Sequence, residues 1–325
     1  MALPNPKVSV IIPVRNEALR IRQCIEGIRK QTVSVHEVIV IDSGSTDGTL
    51  EILSEYPEVT VIEIDGSTFN HGLTRNLGVE ASSGDFCLLT VGDAYAYDEH
   101  WIQHLLDGFV DDEVLAVCGQ QVVDHLPENN PLQWFRPQSI PELLRIQFTS
   151  TEWANLTPLE KKQAVGWDDV NAMYRRNALL QHPFEKTSYS EDAIWAHHAL
   201  SDGSALAYNR LARVYHYHFE DPDFAFRRAL TSHYFRYKLT GYIPTLSEGS
   251  WFFKELKLIW SIMRFATKPK GKQLYWWKYN RDRSKAYQVA HSQFHTHLKK
   301  GEEALDMYHS ELCGKPPIPT KAHLN

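Results

Sequence analysis

Cysteine is scarce in this chain. Its 325 residues include only Cys24, Cys87, Cys118 and Cys313, and no two of these form a Cys-x-x-Cys pair. The first three fall in apolar or helical patterns. We therefore expect free, buried thiols in a reducing compartment rather than a disulfide framework.

Several other signatures are missing. No uncharged run approaches 18 apolar residues, so no membrane-spanning helix is expected. The first ten residues, MALPNPKVSV, lack the apolar segment of a signal peptide, which predicts a protein in the cytosol or on the cytosolic side of a membrane. The formal net charge of -6 argues against a general nucleic-acid binder. Neither GxGxxG nor a P-loop motif occurs, so a dinucleotide oxidoreductase and a P-loop enzyme are unsupported.

What the chain does contain is material for a large core, because 43% of its residues are hydrophobic. Short β-branched runs alternate with helical patterns. The predicted strands are VSVIIPV, HEVIVIDS, VTVIEID, DFCLLTV and EVLAVCGQQVV, and later ARVYHYHF. This alternation predicts an α/β fold with a Rossmann-like, mostly parallel sheet that carries helices on both faces.

The pattern changes after about Asp124, which predicts three segments. Residues 1–124 form a nucleotide-binding half, residues 125–220 complete the site, and residues 221–325 are a helical C-terminal extension. Residues 125–165 are rich in Pro, Gln and Trp and have weak periodicity.

Polar residues follow three of the predicted strands. The strand ends are Pro13 to Glu17, Asp42 to Gly48, and Gly92-Asp93. Ligands of open α/β sheets bind beyond the carboxyl ends of strands, so these clusters are expected to meet at one crevice. Taken alone, GSTDG is equally compatible with a turn that leads into a helix N-cap.

The run from VSVIIPVRNE through EVIVIDSGSTDGT to GLTRNLGVEASSGDFCLLTVGDA resembles glycosyltransferase family 2, whose members have the glycosyltransferase-A (GT-A) fold. The resemblance is continuous over roughly residues 7–120 and weaker to about residue 220. FNHGLTRNLG and VYHYHF resemble the bacterial rhamnosyltransferase-like members most.

The resemblance implies a site for a nucleoside-diphosphate sugar. Pro13 and Glu17 would flank the nucleotide base, and Asp42, with Ser43 beside it, would bind the base. Arg75 would lie near the diphosphate, because a guanidinium suits phosphate oxygens. The alternative for Arg75 is an ordinary surface arginine on a helix.

The family usually carries Asp-x-Asp after the fourth strand, where it holds a divalent metal. Here the three positions are Val91, Gly92 and Asp93, so only the second aspartate remains. Mg²⁺ or Mn²⁺ can still bind through one carboxylate with phosphates and water. Asp98 and Glu99 are instead expected to start the next helix.

The resemblance assigns the catalytic base to Asp192, with Glu191 as its acidic neighbour on the acceptor side. The alternative is plain helix capping next to Ser190. His216 and His218 alternate in VYHYHF and would share one face of a strand, where they could complete a metal shell or simply pack. Trp167, Asp168 and Asn171 are candidates for binding the acceptor sugar, with the hydrophobic core as the alternative for Trp167.

Near the C-terminus, apolar residues fall on one helical face: Phe252, Leu256, Ile259, Trp260 and Met263. Basic residues surround them: Lys254, Lys257, Arg264, Lys268, Lys270 and Lys272. An interfacial helix near a lipid-linked acceptor and a packed helix with solvated lysines both fit.

The sequence therefore predicts an inverting, metal-assisted glycosyltransferase that acts on a bacterial cell-surface glycan or its lipid-linked precursor. The alternative is a non-catalytic sugar-nucleotide-binding protein with a degenerate site.

Overall fold

The structure, a computed structural model, describes residues 6–126, 128–133, 143–245, 251–265 and 272–314. The side chains of residues 251–255 and 265 lie outside this description. The strands are β1 (Val8–Val14), β2 (Glu37–Asp42), β3 (Val59–Glu63), β4 (Phe86–Leu89), β5 (Tyr95–Ala96), β6 (Val114–Val122), β7 (Leu143–Ile146), β8 (Ala172–Arg175) and β9 (Ala205–Tyr215).

The helices alternate with these strands in the first two thirds of the chain and then follow one another. They are α1 (Ile21–Arg29), α2 (Thr49–Leu53), α3 (His71–Ala81), α4 (Trp101–Asp107), α5 (Ser150–Asn155), α6 (Pro158–Ala164), α7 (Arg176–Gln181), α8 (Glu191–Ser201), α9 (Pro222–Thr240), α10 (Trp251–Phe265), α11 (Gln273–Leu298) and α12 (Glu302–Cys313). A 3₁₀ turn spans Gly66–Thr68.

The described strands form one sheet in the order β3-β2-β1-β4-β8-β6-β9-β5, with β7 on β9. Strands β3, β2, β1 and β4 are parallel throughout, and β6 is parallel to β9. Strand β8 runs antiparallel to β4 on one side and to β6 on the other. The parallel part brings the carboxyl ends of β1, β2 and β4 to one edge, as predicted.

Helices cover both faces of the parallel part. Val8, Val10 and Ile12 of β1 belong to one buried cluster with α1 and α4. The alternate residue Ile11 points to the other face and meets α3 at Gly78. Each of these buried aliphatic side chains contributes roughly 1.5–3 kcal/mol of transfer free energy.

The chain divides into two compact units. The first comprises the described residues within Met1–Val122 and Gln138–His216 and contains the whole sheet. The second comprises those within Val123–Pro137 and Tyr217–Asn325, where α9, α11 and α12 enclose a small core around Leu230, Phe294 and Leu305. The functional division at residues 124 and 220 stays a prediction.

Two local expectations were wrong. Strand β9 ends at Tyr215, so His216 and His218 follow the strand instead of alternating on it. Helix α4 begins at Trp101, and Asp98 precedes it as the acceptor for the His100 amide at 2.9 Å.

The segment described above as weakly periodic contains β7, α5 and α6. A signal for both helices was present in the sequence. Thr149 with Glu152, and Thr157 with Glu160, form capping boxes at the two helix starts. Strand β8, only four residues long, carried no comparable signal.

Candidate active site

Asp42 ends β2 and is completely buried. Its Oδ2 accepts hydrogen bonds from the amides of Gly44 and Ser45, both at 2.9 Å. Its Oδ1 is buried and has no hydrogen-bond partner among the described residues. The carboxylate therefore holds its own loop in shape with one oxygen and leaves the other unsatisfied, an arrangement that a ligand N–H or O–H can complete.

The residues expected around the nucleotide base lie at the same edge of the sheet. Pro13 is buried in β1 opposite Ile41. Ser43 is buried, and its hydroxyl donates to the carbonyl of Val14 at 3.1 Å. The amide of Glu17 donates to Thr49 Oγ1 at 2.8 Å, and its side chain is partly exposed. Pro13 and Ser43 are thus part of the packed edge, whereas the Glu17 side chain is partly exposed.

Gly92 lies tightly against the first of these loops. A Cβ added at Gly92 would fall 2.8 Å from Val14 Cγ1 and 2.9 Å from Glu17 Cγ. Val91, at the position of the missing first aspartate, packs instead against the core cluster. Only Asp93 of this triplet therefore offers a carboxylate to a ligand.

Asp93 faces His216. Its Oδ1 lies 3.5 Å from His216 Nε2, and the imidazole is buried. The backbone amide of His216 donates to Val122 at 3.0 Å, which fixes the residue just beyond β9. One carboxylate oxygen and one imidazole nitrogen that face each other fit a divalent cation.

His218 belongs to the second unit. Two residues of chain keep its Cα within about 7 Å of that of His216, whatever the surrounding structure.

The acidic pair predicted at the start of α8 is present. Within the described part of the chain, the Ser190 side chain makes no capping bond to α8, and this residue adopts a left-handed conformation with φ of 60°. Glu191 is buried and hydrogen-bonded to Arg75. Asp192 is partly exposed, and its Oδ2 accepts the Asp169 amide at 3.4 Å.

Arg75 was expected near the diphosphate as a phosphate ligand. The structure instead places its guanidinium in a buried cluster of carboxylates. Beside the bond to Glu191, its Nη1 lies 3.6 Å from Asp169 Oδ2. Asp169 in turn accepts a hydrogen bond from the Tyr174 hydroxyl. Arg75 Nη1 is therefore committed to protein carboxylates, whereas the buried Arg75 Nε has no hydrogen-bond partner among the described residues.

The pKa values in this cluster move in opposite directions. Burial raises the pKa of Asp169 to about 7, although Arg75 and Tyr174 oppose the rise. Although Asp192 is partly exposed as a residue, the desolvation of its carboxyl, with the nearby charges of Glu191, Asp169 and Asp168, raises its pKa well above the ordinary aspartate range. Burial disfavours the charged form of Glu191, but Arg75, His71 and the hydrogen bonds to this carboxyl together outweigh burial and lower its pKa. Arg75 thus helps to hold Glu191 as its anion, while Asp192 becomes a stronger base.

Two of the expected acceptor residues are occupied elsewhere. The buried Trp167 donates its indole N–H to the Tyr174 hydroxyl at 2.7 Å and packs edge-on against Tyr208. The buried Asn171 accepts from the Trp101 indole at 2.7 Å and donates to the carbonyl of Ala212 at 2.9 Å. Neither side chain is available to a sugar, so the core alternative holds for Trp167, and Asn171 is a structural residue.

Asp168 is the remaining candidate on the acceptor side. It is partly exposed, and its Oδ1 accepts the Val170 amide at 3.0 Å. Its Oδ2 accepts a hydrogen bond from Gln121 Nε2. Gln121 also contacts His216 Nδ1 through its Oε1 at 2.7 Å.

The sequence did not single out Asp169 or Gln121. Asp169 could have been noticed as the second of two adjacent aspartates, Asp168 and Asp169. Gln121 had no such signal, because a glutamine near the end of a strand is common.

Apart from His218, all the expected site residues lie in the first unit.

The comparisons with known proteins agree on the family. The family model described as Glycosyl transferase family 2 matches residues 9–181, more than half of the chain. The O-antigen chain rhamnosyltransferase WbaN of Salmonella anatum is 31% identical over 236 residues, 69% of this chain and 70% of that protein. RfbN of Salmonella typhimurium, of the same description, is 28% identical over 68% of this chain and 70% of its own length.

Solved structures share the fold at low sequence identity. The mannosyltransferase PcManGT from Pyrobaculum calidifontis, in complex with GDP-Man and Mn²⁺, superposes with a TM-score of 0.56 at 15% identity, over 89% of this chain and 86% of that one. Staphylococcus aureus TarS residues 1–349, in complex with UDP-GlcNAc, gives a TM-score of 0.53 at 17% identity, over 95% and 92%. The expected GT-A fold is confirmed.

Proposed function

The chain belongs to glycosyltransferase family 2 and is a glycosyltransferase, and we propose that it transfers a sugar, with inversion, from a nucleoside-diphosphate sugar to a glycan hydroxyl. The donor is of the UDP or dTDP type, and rhamnose is the first sugar to test because two relatives are named rhamnosyltransferases. The acceptor is a growing cell-surface glycan or its lipid-linked precursor.

One observation carries the proposal: four side-chain contacts and one peptide link, that of Asp168 with Asp169, connect Asp93 to Asp192. Asp93 contacts His216, His216 contacts Gln121, and Gln121 contacts Asp168. Asp169 follows in the chain, and its amide donates to Asp192. A residue suited to the diphosphate end and a residue suited to the acceptor end therefore belong to one connected site.

Asp192 is the proposed base. A sugar hydroxyl is a weak nucleophile, and a carboxylate that takes its proton as the new bond forms contributes about 10²–10⁴ in rate. The hydroxyl oxygen attacks the anomeric carbon on the face opposite the leaving diphosphate, so the configuration inverts. The raised pKa of Asp192 strengthens it as a base.

The diphosphate end is built from Asp93 and His216, with His218 as a further candidate ligand. These residues fit Mg²⁺ or Mn²⁺, which would neutralise the charge of the leaving diphosphate when bound. At the nucleotide end, Pro13, Glu17, Asp42 and Ser43 are proposed to receive the base.

The decisive experiment is a transfer assay with a panel of UDP- and dTDP-sugars and a glycan acceptor. Asp192→Asn keeps the size of the side chain and removes the base, so turnover should fall at least a hundredfold while donor affinity and melting temperature stay near those of the parent protein. Most of the activity surviving in Asp192→Asn would move the base to another residue, Glu191 first. Donor binding without any turnover would favour the alternative, a non-catalytic sugar-nucleotide-binding protein.

A membrane surface is the proposed location of the acceptor, and α10 is the proposed contact. Its outer face carries Leu256, Ile259, Trp260 and Met263, whose exposures lie between 42 and 67%. Its opposite face packs through the buried Ile262 on Trp276 and Tyr279 of α11. One face of α10 is therefore packed, as the packed-helix alternative expects, and the opposite face is exposed and could contact lipid. Lys268, Lys270 and the side chains of Phe252 and Lys254 lie outside the described residues.

Among the described residues, no helix combines the length and the apolar character that a membrane span requires.

A further inference from the structure

Gln121 lies between the two ends of the site. It is a partly buried residue of β6, one position before the end of the strand. Its amide nitrogen Nε2 donates to Asp168 Oδ2. Its amide oxygen Oε1 lies 2.7 Å from His216 Nδ1. One side-chain amide therefore touches the acceptor-side aspartate and the histidine that faces Asp93.

The chemistry of the partners fixes the direction of both bonds. An aspartate carboxylate only accepts hydrogen bonds, so the amide must turn its NH₂ group toward Asp168. Its oxygen then faces His216, and because this oxygen only accepts, Nδ1 of the imidazole must carry the hydrogen. In the neutral ring the lone pair is consequently on Nε2, the nitrogen that lies 3.5 Å from Asp93 Oδ1.

We propose that Gln121 is a positioning residue that locks His216 in the tautomer able to bind a metal ion beside Asp93, and that Asp168 sets the orientation of Gln121. The inference rests on the proposed function, since it assumes that Asp93 and His216 hold the ion. Through Gln121, the orientation of the proposed metal ligand His216 would depend on Asp168, a carboxylate on the proposed acceptor side. Such outer partners of metal-binding histidines typically change metal affinity by 10- to 100-fold.

The tautomer can be tested without metal or activity. Long-range ¹H–¹⁵N spectra of the histidine side chains distinguish a ring protonated at Nδ1 from one protonated at Nε2. The His216 signals are identified by their loss in His216→Gln. We expect the Nδ1–H form in the parent protein and a mixture or the Nε2–H form in Gln121→Leu. An Nε2–H ring in the parent protein, or an unchanged Nδ1–H ring in Gln121→Leu, overturns the proposal.

Metal affinity provides the second test, with Mn²⁺ titrated alone and with UDP and followed by the electron paramagnetic resonance of the free ion. Gln121→Leu should raise the Mn²⁺ dissociation constant 10- to 100-fold. The control Gln147→Leu removes an exposed glutamine that bonds a backbone carbonyl, and it should bind like the parent. A dissociation constant for Gln121→Leu within about threefold of the parent's contradicts the proposal, where threefold is well below the second-layer effect.

Exchanging the amide of Gln121 and the carboxylate of Asp168 distinguishes control of the His216 tautomer from a general disturbance of β6 in Gln121→Leu. In the double variant Gln121→Glu with Asp168→Asn, the new carboxylate accepts from both the new amide and His216 Nδ1, so the tautomer is kept. Mn²⁺ affinity should return to within a few fold of the parent value, and affinity as low as in Gln121→Leu would exclude tautomer control. If Asp93→Asn also leaves Mn²⁺ binding unchanged, the failure belongs to the proposed metal site itself.

Discussion

At the scale of single residues, the cluster around Arg75 holds more carboxylates than the buried guanidinium can neutralise. Arg75 bonds Glu191 and approaches Asp169, and Asp192 adds a third acid nearby. Removing charges from water is costly unless each is paired, so the carboxyls that Arg75 does not neutralise bind a proton more tightly than free aspartates do. The raised pKa values of Asp169 and Asp192 express that imbalance.

Asp169 makes this imbalance measurable as a pH dependence of stability. In the unfolded chain the pKa of an aspartate is about 3.9, whereas in the native protein the pKa of Asp169 is about 7. Between these values the native state holds a proton that the unfolded chain has lost, so the free energy of unfolding falls as pH rises. The variant Asp169→Asn has no titrating group at this position. Its free energy of unfolding minus that of the parent should therefore increase from about pH 4 to about pH 7, by at most about 4 kcal/mol. Urea denaturation across this range tests the sign; a constant difference would refute it.

Asp93 is the residue on which metal-dependent donor binding should depend. In thermal-shift measurements with UDP or dTDP, Mn²⁺ should raise the melting temperature further, because a ligand at a hundredfold excess over its Kd stabilises by about 2.7 kcal/mol. Asp93→Asn should abolish the Mn²⁺ increment and leave the melting temperature of the free protein unchanged. An increment that survives this substitution would assign the ion to the histidines, to be compared through His216→Ala and His218→Ala.

At the scale of elements, the carboxyl ends of β1 and β2 depend on how closely α3 approaches the sheet. Gly78 on α3 has no side chain, and the space where one would stand is filled by Ile11 of β1 and Ile41 of β2. Strand β1 leads into the loop that carries Glu17, and β2 ends at Asp42. The close helix–sheet contact therefore fixes the two strands that carry the proposed nucleotide-binding residues.

Gly78→Ala tests this contact. An added Cβ would meet Ile11 Cγ2 and lie 2.9 Å from Ile41 Cδ1. Overpacking of this kind costs about 1–3 kcal/mol and should exceed the roughly 1 kcal/mol that alanine gains over glycine in a helix. Urea denaturation should show a net loss of stability. Gly166→Ala, where the nearest atom is Gln163 O at 3.4 Å, is the control and should stay within about 0.5 kcal/mol of the parent.

At the scale of the whole molecule, charge is unevenly distributed. The chain carries a formal net charge of -6, yet residues 251–285 hold ten Lys and Arg against two acidic residues. In that segment Lys257, Arg264 and Lys272 are exposed, and Arg264 lies over the Trp260 ring at 5.1 Å. An anionic lipid surface would attract this region and repel most of the remainder.

Vesicle binding tests the membrane contact. The protein should sediment with anionic vesicles at low salt and less at high salt, because screening shortens the reach of the basic residues. Met263→Gln removes an apolar contact from α10 and should weaken binding. Met307→Gln changes an equally exposed methionine on α12 and should not. Equal binding by the two variants, or no binding to anionic vesicles at low salt, would argue against α10 as the contact.

The sequence by itself determined the parallel strands β1 to β4, the polar loops at their carboxyl ends and the family. These features depend on local order: β-branched runs make buried strands, and Gly, Ser and Asp make the turns that follow. The loss of the first metal aspartate at Val91 was equally visible in the sequence.

Only the tertiary structure decided which polar side chains remain available to a ligand. Trp167 and Asn171 were candidates for binding the acceptor in the sequence. In the structure Trp167 hydrogen-bonds Tyr174, and Asn171 hydrogen-bonds Trp101 and a backbone carbonyl. Gln121 looked unremarkable, yet it joins Asp168 to His216 across 47 and 95 positions of the chain. Hydrogen-bond partners this far apart are set by strand order, here by β8 and β9 on the two sides of β6, and no local pattern encodes that order.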